Sequence, residues 1–415
     1  MYTYAFLLGA HPTLSLAEIL NYLANQKISF GEYLWLPEVL IIKLKESPEE
    51  ITKLQTELGG VIKIFWIKEE FKGKIFQLED KLTPKKLLAE FFAQNQTKIN
   101  FGLSIYANPE LSYAELNWLS NYAHNIKQRL KNEYSIRYVE DRSWNLSSVQ
   151  VNRNRLIDTG AEIALMRDKD RFYIGKTLTV QDYEAYSKRD WDKPSPDAKS
   201  GMLPPKLAQM MINLAREKKT TAIFDPFCGS GIVLQEALML QLKIYGSDIS
   251  TDAVKNTISN LEWLIKLKKM PELKLATRIK KADATTIRWS SPNKSETVVI
   301  TEPYLGPPLK SILFTHQAKT IIDELTDLYL DFFKNLRKNF SKIEKVCIVF
   351  PVFKTRDGLR YLDIMKHIEE LGYKRVSLLP ENIIKKDSSI SHRGGILYSR
   401  PDQLVLREIF VFHKK

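Results

Sequence analysis

The sequence Asp225-Pro226-Phe227-Cys228-Gly229-Ser230-Gly231 separates an apolar, β-prone run at 221–224 from a run of helix formers at 232–240. A glycine-rich turn between a strand and a helix lies at the carboxyl end of the strand, where open α/β sheets bind ligands. Glycine lets the backbone approach a ligand closely, and Gly231 can adopt a positive φ. The turn therefore predicts a ligand site at this strand end.

The turn differs from two common nucleotide-binding motifs. It lacks the Lys-Ser or Lys-Thr ending of a P-loop and the third glycine of the usual dinucleotide fingerprint. Nucleoside triphosphates and NAD are therefore poor first hypotheses for the ligand.

Residues 243–249 predict a second strand, which ends near Asp248 and Ile249. An acid about 20 residues after a glycine-rich turn can accept hydrogen bonds from both hydroxyls of a ribose. A helix is expected over 251–269, with Ser250 or Thr251 as its N-cap.

Two more predicted strands end in chemically useful residues. Residues 276–284 predict a third strand that ends at Asp283 and Ala284. Residues 297–300 predict a fourth strand, which runs into Thr301-Glu302-Pro303-Tyr304. Because parallel strands end at one edge of a sheet, all four ends are expected to surround a single site.

The chain has 415 residues, of which 44% are hydrophobic and 27% charged, a composition typical of globular proteins with two or three domains. No apolar run approaches the length of a membrane span, and the first residues show no signal-peptide pattern. Two cysteines, Cys228 and Cys347, form no zinc motif or disulfide framework, so no metal is expected. A reducing cytoplasm is the expected compartment.

The net charge of +13 suggests a polyanionic partner. Residues 1–200 carry 27 Lys and Arg against 26 Asp and Glu, whereas residues 201–415 carry 35 against 23. The basic excess is therefore confined to the second half. The candidate phosphate contacts are Lys266, Lys268, Lys269, Lys280, Lys281, Lys334, Arg337, Lys338, Lys342 and Lys345.

The order of predicted elements indicates three domains. Residues 1–70 read β-α-β-α-β, which suits a ferredoxin-like α+β domain whose first helix, over 15–25, opens with a capping box of Ser15 and Glu18. A second α+β run covers 71–185, and the Pro- and Ser-rich segment 186–203 predicts a linker. From 204 to 415, helices and strands alternate, which predicts a doubly wound α/β sheet closed by an antiparallel hairpin. A long helix is expected over 310–339 and another over 356–369.

The turn and two further strings resemble one enzyme family. These strings are QDYEAYSKRD at 181–190 and SGMLPPKLA at 200–208. Together they are similar to the THUMP-domain tRNA guanine-N2-methyltransferases, which are class I enzymes dependent on S-adenosylmethionine (SAM). The resemblance implies a THUMP-like RNA-binding domain at 71–185 and methylation of a guanine N2 amino group in tRNA, of the position-10 type.

The resemblance also assigns residues. It implies SAM contacts for Asp225, Phe227, Gly229, Gly231, Asp248, Ile249, Asp283, Ala284, Pro204 and Pro205, with Asp248 at the ribose and Asp283 at the adenine edge. The prolines are equally well explained as the start of a helix, since proline suits the first turn.

The predicted catalytic turn departs from the family pattern of an acid followed by Pro-Pro-Tyr. If Pro303 and Tyr304 align with that pattern, Thr301 occupies the acid position and Glu302 replaces the first proline. Glu302 can accept the amine proton, whereas Thr301 is a weaker acceptor without charge. Tyr304 is expected to stack on the target guanine.

Two other functions stay open at this point. One is a non-catalytic RNA-binding protein that keeps the SAM fold, for which the Thr301-Glu302 departure is the sole support. The other is a DNA amino-methyltransferase, which shares the Pro-Tyr turn. The sequence also leaves open a helper subunit.

Overall fold

The computed structural model describes residues 1–92, 96–195, 202–385 and 387–415, and these form two compact units. The first unit comprises Met1–Pro12, Ile28–Glu57 and Val61–Tyr183. The second comprises Thr13–Lys27, Leu58–Gly60 and Glu184–Lys415. No helix within the described residues combines the length and apolar character needed to cross a membrane.

The chain up to residue 191 contains eight strands and seven helices within the described ranges, together with a 3₁₀ turn at Ile75–Gln77 and a π-helical turn at Leu87–Phe91. In order they are β1 (Tyr2–Leu8), α1 (Pro12–Asn25), β2 (Phe30–Trp35), β3 (Val39–Leu44), α2 (Pro48–Glu57), β4 (Val61–Lys72), α3 (Leu78–Lys81), α4 (Pro84–Lys86), β5 (Lys98–Asn108), α5 (Tyr113–Leu130), β6 (Ser135–Val139), α6 (Ser148–Arg153), β7 (Ala161–Asp168), β8 (Arg171–Val180) and α7 (Tyr183–Trp191).

The first unit is built on one mixed sheet of order β2-β3-β1-β4-β8-β7-β5-β6. β5 runs parallel to both β6 and β7, whereas the other pairs are antiparallel. The predicted strand pair around residues 168–170 is confirmed as the hairpin β7–β8. The sheet continues across residue 70, so the ferredoxin-like and THUMP-like domains at 1–70 and 71–185 stay predictions.

The capping box predicted at the first helix is wrong. α1 begins at Pro12, so Ser15 and Glu18 lie inside the helix and are buried. The Glu18 carboxylate instead accepts hydrogen bonds from the backbone N–H groups of Gly59 and Gly60, at 2.8 and 2.7 Å. Burial raises the pKa of Glu18 to about 7. A pattern that is typical of a cap therefore serves here as a buried polar anchor.

The rest of the chain contains nine strands and six helices in the described ranges, with a 3₁₀ turn at Leu275–Thr277. They are α8 (Pro205–Ala215), β9 (Ala222–Asp225), α9 (Ile232–Met239), β10 (Lys243–Asp248), α10 (Thr251–Leu267), β11 (Ile279–Lys281), β12 (Thr297–Thr301), α11 (Thr315–Asn339), β13 (Lys345–Thr355), β14 (Gly358–Tyr361), α12 (Met365–Glu370), β15 (Tyr373–Arg375), α13 (Glu381–Ile384), β16 (Ile396–Tyr398) and β17 (Val405–Lys414).

The second sheet has the order β11-β10-β9-β12-β13-β17-β15, with β14 paired to β13 and β16 to β17. The first five strands of this order, from β11 through β10, β9 and β12 to β13, are parallel to their neighbours. β17 is antiparallel to β13 and β15. This confirms the doubly wound sheet with an antiparallel closure. The chain moves outward from β9 through β10 to β11 and then resumes on the other side at β12, so the strand order reverses between β9 and β12.

Three element bounds differ from prediction for local reasons. The third strand covers only Ile279–Lys281, and Asp283 follows it in a loop. The long helix begins at Thr315, because Leu313 forms a β-bridge with Thr355 and Phe314 is the extended N-cap residue. No helix starts at residue 356, because β13 extends to Thr355 and returns as β14.

The predicted linker 186–203 overlaps a helix. Residues 196–201 lie outside the described residues, but α7 extends into the segment as far as Trp191. Arg189 on α7 is 4% exposed and pairs through Nε with Glu236 Oε1 at 2.6 Å. The start of this segment is therefore a packed part of the second unit.

Candidate functional site

A cavity of about 880 Å³ lies at the carboxyl ends of β9, β10 and β12. Its lining includes most of the glycine-rich turn, the end of β10, the turn after β12, the loop after β11, residues 402–405 and Arg407. Open α/β sheets bind ligands beside the point where strand order reverses, and this cavity occupies that position. The predicted convergence of the four strand ends is therefore confirmed.

The two glycines of the turn, Gly229 and Gly231, have different structural roles. Both have a positive φ, +50° at Gly229 and +84° at Gly231. Gly229 lines the cavity, and an added Cβ there would meet no atom within 4 Å, so its surroundings leave room for a ligand. Gly231 caps α9, and a Cβ there would lie 3.0 Å from Thr257 Cγ2. Gly231 therefore shapes the turn and its packing.

Asp248 is held by backbone groups. Its Oδ2 accepts from Gly229 N at 3.0 Å and its Oδ1 accepts from Ser250 N at 2.9 Å. The Ser250 hydroxyl caps α10 by accepting from Ala253 N, as expected for an N-cap. Because the carboxylate is fixed and lines the cavity, it can present its remaining lone pairs to a diol.

Asp283, Ala284 and Ile249 all line the cavity, as predicted from the strand ends that they follow. Asp283 Oδ1 accepts from the N–H and the hydroxyl of Thr285, at 2.8 and 2.7 Å. The Ala284 carbonyl accepts from Asn335 Nδ2 at 2.9 Å. Ile249 is 68% exposed, so it offers an apolar surface to a planar group.

Asp225 and Thr301 connect the two strands on either side of the reversal. The Thr301 hydroxyl donates to Asp225 Oδ1 at 2.7 Å, and Phe227 N donates to the same oxygen at 3.1 Å. Asp225 is 2% exposed, and burial raises its pKa to about 7. The neighbouring carboxylates of Asp248 and Glu302 contribute to this rise in pKa, while the two hydrogen bonds oppose it.

Thr301 therefore differs from the acid expected at its position. It is fully buried, and its hydroxyl is committed to Asp225. It is not among the residues that line the cavity within the described part of the chain. This placement leaves the acceptor role proposed for the turn to Glu302.

Glu302 lines the cavity and forms an ion pair with Arg407 on β17. Arg407 Nε donates to Oε2 at 2.5 Å and its Nη2 donates to Oε1 at 2.9 Å. Arg407 is 2% exposed. The sequence reasoning assigned no role to Arg407, because 105 residues separate the two partners and no local pattern joins them.

The remaining residues of the turn flank this pair. Pro303 is buried, whereas Tyr304 is 56% exposed at the cavity and its ring is available for stacking. The Tyr304 carbonyl accepts from the Tyr329 hydroxyl at 3.3 Å, which fixes the backbone of the turn.

The cofactor contacts inferred for Pro204 and Pro205 need correction. Pro204 is the N-cap of α8 and Pro205 its first residue, so the alternative of a helix start applies. Met202 and Leu203 line the cavity instead, and neither proline does so among the described residues. Proline fits this position because the first helical N–H needs no partner.

The cavity lining is strongly acidic. Among the described residues the only cation in the lining is Arg407, which Glu302 neutralises. Such a lining repels phosphates and attracts a cationic ligand. The acids are Asp225, Asp248, Asp252, Asp283, Glu302 and Asp402.

The candidate phosphate contacts divide between two edges of the sheet, one formed by the carboxyl ends of the parallel strands and the other by their amino ends. Lys280 and Lys281 lie on β11, paired with Ser247 and Asp248, at the edge that holds the cavity. Most of the others lie at the ends of α10 and α11 or at the start of β13, toward the opposite edge. Lys280 and Lys281 are therefore the members of the set nearest the cavity.

Parts of the chain are similar to known methyltransferase families. The RMKL-like methyltransferase domain family matches residues 193–357. A DNA methylase family matches residues 62–259.

Two curated archaeal relatives are named tRNA (guanine(10)-N2)-dimethyltransferase. That of Pyrococcus abyssi is 30% identical over 231 residues, which cover 55% of this chain and 60% of the relative. That of Methanothermobacter thermautotrophicus is 26% identical over 222 residues, which cover 51% and 57%. The chain thus spans less than two thirds of each.

Two solved structures share the fold over the whole chain. TrmN from Thermus thermophilus aligns with a TM-score of 0.52 and 14% identity, covering 100% of both chains. A protein described as a possible methylase from Clostridium difficile 630 aligns with a TM-score of 0.51 and 15% identity, covering 100% of this chain and 98% of that one. The class I methyltransferase fold predicted from the sequence is therefore confirmed.

Replacing Gly231 with Ala should destabilise the protein more than replacing Gly394. Both glycines have nearly the same φ, +84° and +83°, but nothing lies within 4 Å of a Cβ at Gly394. Gly394→Ala carries only the backbone strain of about 1–2 kcal/mol, and the crowding against Thr257 adds about 1–3 kcal/mol to Gly231→Ala. Urea unfolding measures both, and equal losses would contradict the assigned crowding.

The stability difference between wild type and Asp225→Asn should depend on pH. The folded pKa of Asp225 is about 7, above the unfolded value, so the folded state binds the extra proton between them. Wild-type stability should therefore fall, relative to the non-titrating variant, as pH rises from 5 to 8. Thermal melts across this range measure the difference, and a constant difference would contradict it. Because Glu18 is unchanged in both proteins, its own titration cancels.

Proposed function

We propose that the protein is a SAM-dependent methyltransferase that modifies the N2 amino group of a guanine in tRNA, of the position-10 type. The names of the archaeal relatives support the substrate, and the shared fold supports the reaction class. The observation that carries the proposal is the acid-lined cavity that ends at Glu302, Pro303 and Tyr304.

The acidic lining distinguishes between cofactor classes. Dinucleotides and nucleoside triphosphates carry several negative charges, which this lining would repel. SAM carries a sulfonium and an ammonium group against one carboxylate, so it is a net cation. The residues present therefore fit SAM, and the open space at Gly229 gives it close access to the backbone.

Four positions would hold SAM. Asp248 would accept from the ribose hydroxyls, Asp283 would face the adenine amino group, and Ile249 would cover the adenine ring. Asp225, the most buried acid of the lining, would face the methionine ammonium group. SAM supplies an electrophilic methyl group on a sulfonium when it is bound.

The turn after β12 would receive the guanine. Tyr304, with its exposed ring, would stack on the base, which must leave its helix to enter a cavity. Glu302 would accept a hydrogen bond from the amino group and so direct the nitrogen lone pair toward the methyl group. It would then take up the proton that the amine loses. Correct positioning of the two reactants supplies much of the rate of such a transfer.

The first unit would bind RNA, as the resemblance to THUMP-containing enzymes implies. In this proposal the enzyme works in the cytoplasm, where the buried free thiols of Cys228 and Cys347 stay reduced. tRNA is its partner, and no helper subunit is invoked.

The decisive experiment incubates the purified protein with labelled SAM and, separately, tRNA, rRNA and double-stranded DNA. Mass spectrometry of digested nucleosides should find N2-methylated guanosine from tRNA alone. Methylated adenine or cytosine from DNA would favour a DNA amino-methyltransferase, for which the DNA methylase match is the support. Binding of SAM and tRNA without transfer to any nucleic acid would establish the non-catalytic alternative.

Replacing Glu302 with Gln should lower kcat by about 100-fold or more, because the proton acceptor is lost. Binding of SAM, measured by calorimetry, should change little. Glu408→Gln is a matched control, since Glu408 lies on the same strand as Arg407 and pairs with Arg393 but does not line the cavity among the described residues. The role assigned to Glu302 would be contradicted if Glu302→Gln and Glu408→Gln lowered kcat to the same extent.

Replacing Lys280 and Lys281 together with Ala should weaken tRNA binding and reduce its salt dependence. Each lost phosphate contact lowers the slope of log K against log salt by about 1. The control replaces Lys266 and Lys268, at the carboxyl-terminal end of α10 and away from the cavity. It should leave the slope nearly unchanged. Filter binding across salt concentrations measures both, and the reverse result would move the tRNA surface to the other edge.

A further inference from the structure

The ion pair of Glu302 and Arg407 spans three strands. Glu302 follows the end of β12, Arg407 lies on β17, and β13 runs between them, with Pro351 opposite Arg407. Strands two positions apart in a sheet are separated by about 10 Å. A carboxylate and a guanidinium can meet over that distance only on long side chains. Arginine is the longest basic side chain, and glutamate is one methylene longer than aspartate.

Within the described part of the chain, the hydrogen bonds to the Glu302 carboxylate all come from Arg407. Glu302 lies beyond the last strand residue, Thr301, and its side chain has three rotatable bonds. Arg407 contacts both carboxylate oxygens, one through Nε and one through Nη2. Such two-point contact fixes the plane of a carboxylate as well as its position. Each oxygen keeps a second lone pair that can accept from another donor.

We infer that Arg407 is a positioning residue, which aims the Glu302 carboxylate at the guanine amine. The inference rests on the proposed function, because it assigns how Glu302 is held during the methyl transfer proposed above. The pair thereby supplies an oriented acceptor in a turn whose usual acid position holds the buried Thr301. The closing hairpin of the sheet, which contributes Arg407, becomes part of the reacting site.

The same hairpin provides a matched control. The next residue on β17, Glu408, points to the other face of the sheet and pairs with Arg393. Both arginine side chains are largely buried, at 3% and 11% exposure. Only the Glu302–Arg407 pair lines the cavity among the described residues. A general effect of loosening the hairpin would therefore appear in both pairs.

Arg407→Lys keeps the charge but removes the two-point contact, because lysine is a single point charge. Its kcat should fall by about tenfold to 100-fold, as expected for a misplaced reacting group. KM for SAM and for tRNA should stay within about threefold of wild type. Arg393→Lys should keep kcat within about twofold.

A double variant separates positioning from any independent role. If Arg407 acts through Glu302, then Glu302→Gln with Arg407→Lys should be no slower than Glu302→Gln alone. A second readout is independent of activity: the Nε–H signal of Arg407 in nitrogen NMR, identified by its loss in Arg407→Lys, should shift in Glu302→Gln and not in Glu408→Gln.

Three results would overturn the inference. They are a normal kcat for Arg407→Lys, an equal loss for Arg393→Lys, and a double variant whose loss is the product of the single losses. Absence of methyl transfer by the wild-type protein would instead remove the proposed function and this inference together. Transfer by wild type with a normal Arg407→Lys would remove the inference alone.

Discussion

The hydrogen bond from Thr301 to Asp225 joins the carboxyl ends of β9 and β12, between which the order of the sheet reverses. A crevice forms at this point, because the chain continues from β9 to β10 on one side and from β12 to β13 on the other. A second acid at position 301 would place two carboxyl groups in a buried space, and like charges there are costly. Threonine donates a hydrogen bond instead. The departure at 301 therefore stabilises the neighbouring carboxyl, and the acid of the turn is found one residue later.

The site combines rigid acids with one exposed aromatic ring. Asp248 and Asp283 are held by backbone N–H groups, and Glu302 is held by Arg407. Acceptors fixed in advance need no rearrangement when a ligand arrives. Tyr304 is different, because its ring is exposed and only its backbone is fixed. This contrast matches a pocket that holds one ligand closely and receives another from solvent.

The charges of the second unit are separated in the same way. Six acids line the cavity, whereas most of the candidate phosphate contacts lie toward the opposite edge of the sheet, and Lys280 and Lys281 are exceptions. An acidic pocket would by itself repel RNA. The proposed substrate therefore requires that phosphates be bound outside the cavity while only the uncharged base enters it.

Local sequence patterns determined the α/β alternation, the glycine-rich turn and the strand ends that carry Asp248, Asp283 and Glu302, because period and turn chemistry are properties of neighbouring residues. A short-range pattern misled at Ser15 and Glu18, where a capping motif is a buried anchor, whereas the proline pattern at Pro204 and Pro205 correctly predicted the start of a helix. Tertiary structure alone decided that Thr301 meets Asp225, 76 residues away, and that Arg407 meets Glu302 across β13. Those contacts arise from strand order and the reach of side chains across a sheet, which no local pattern encodes.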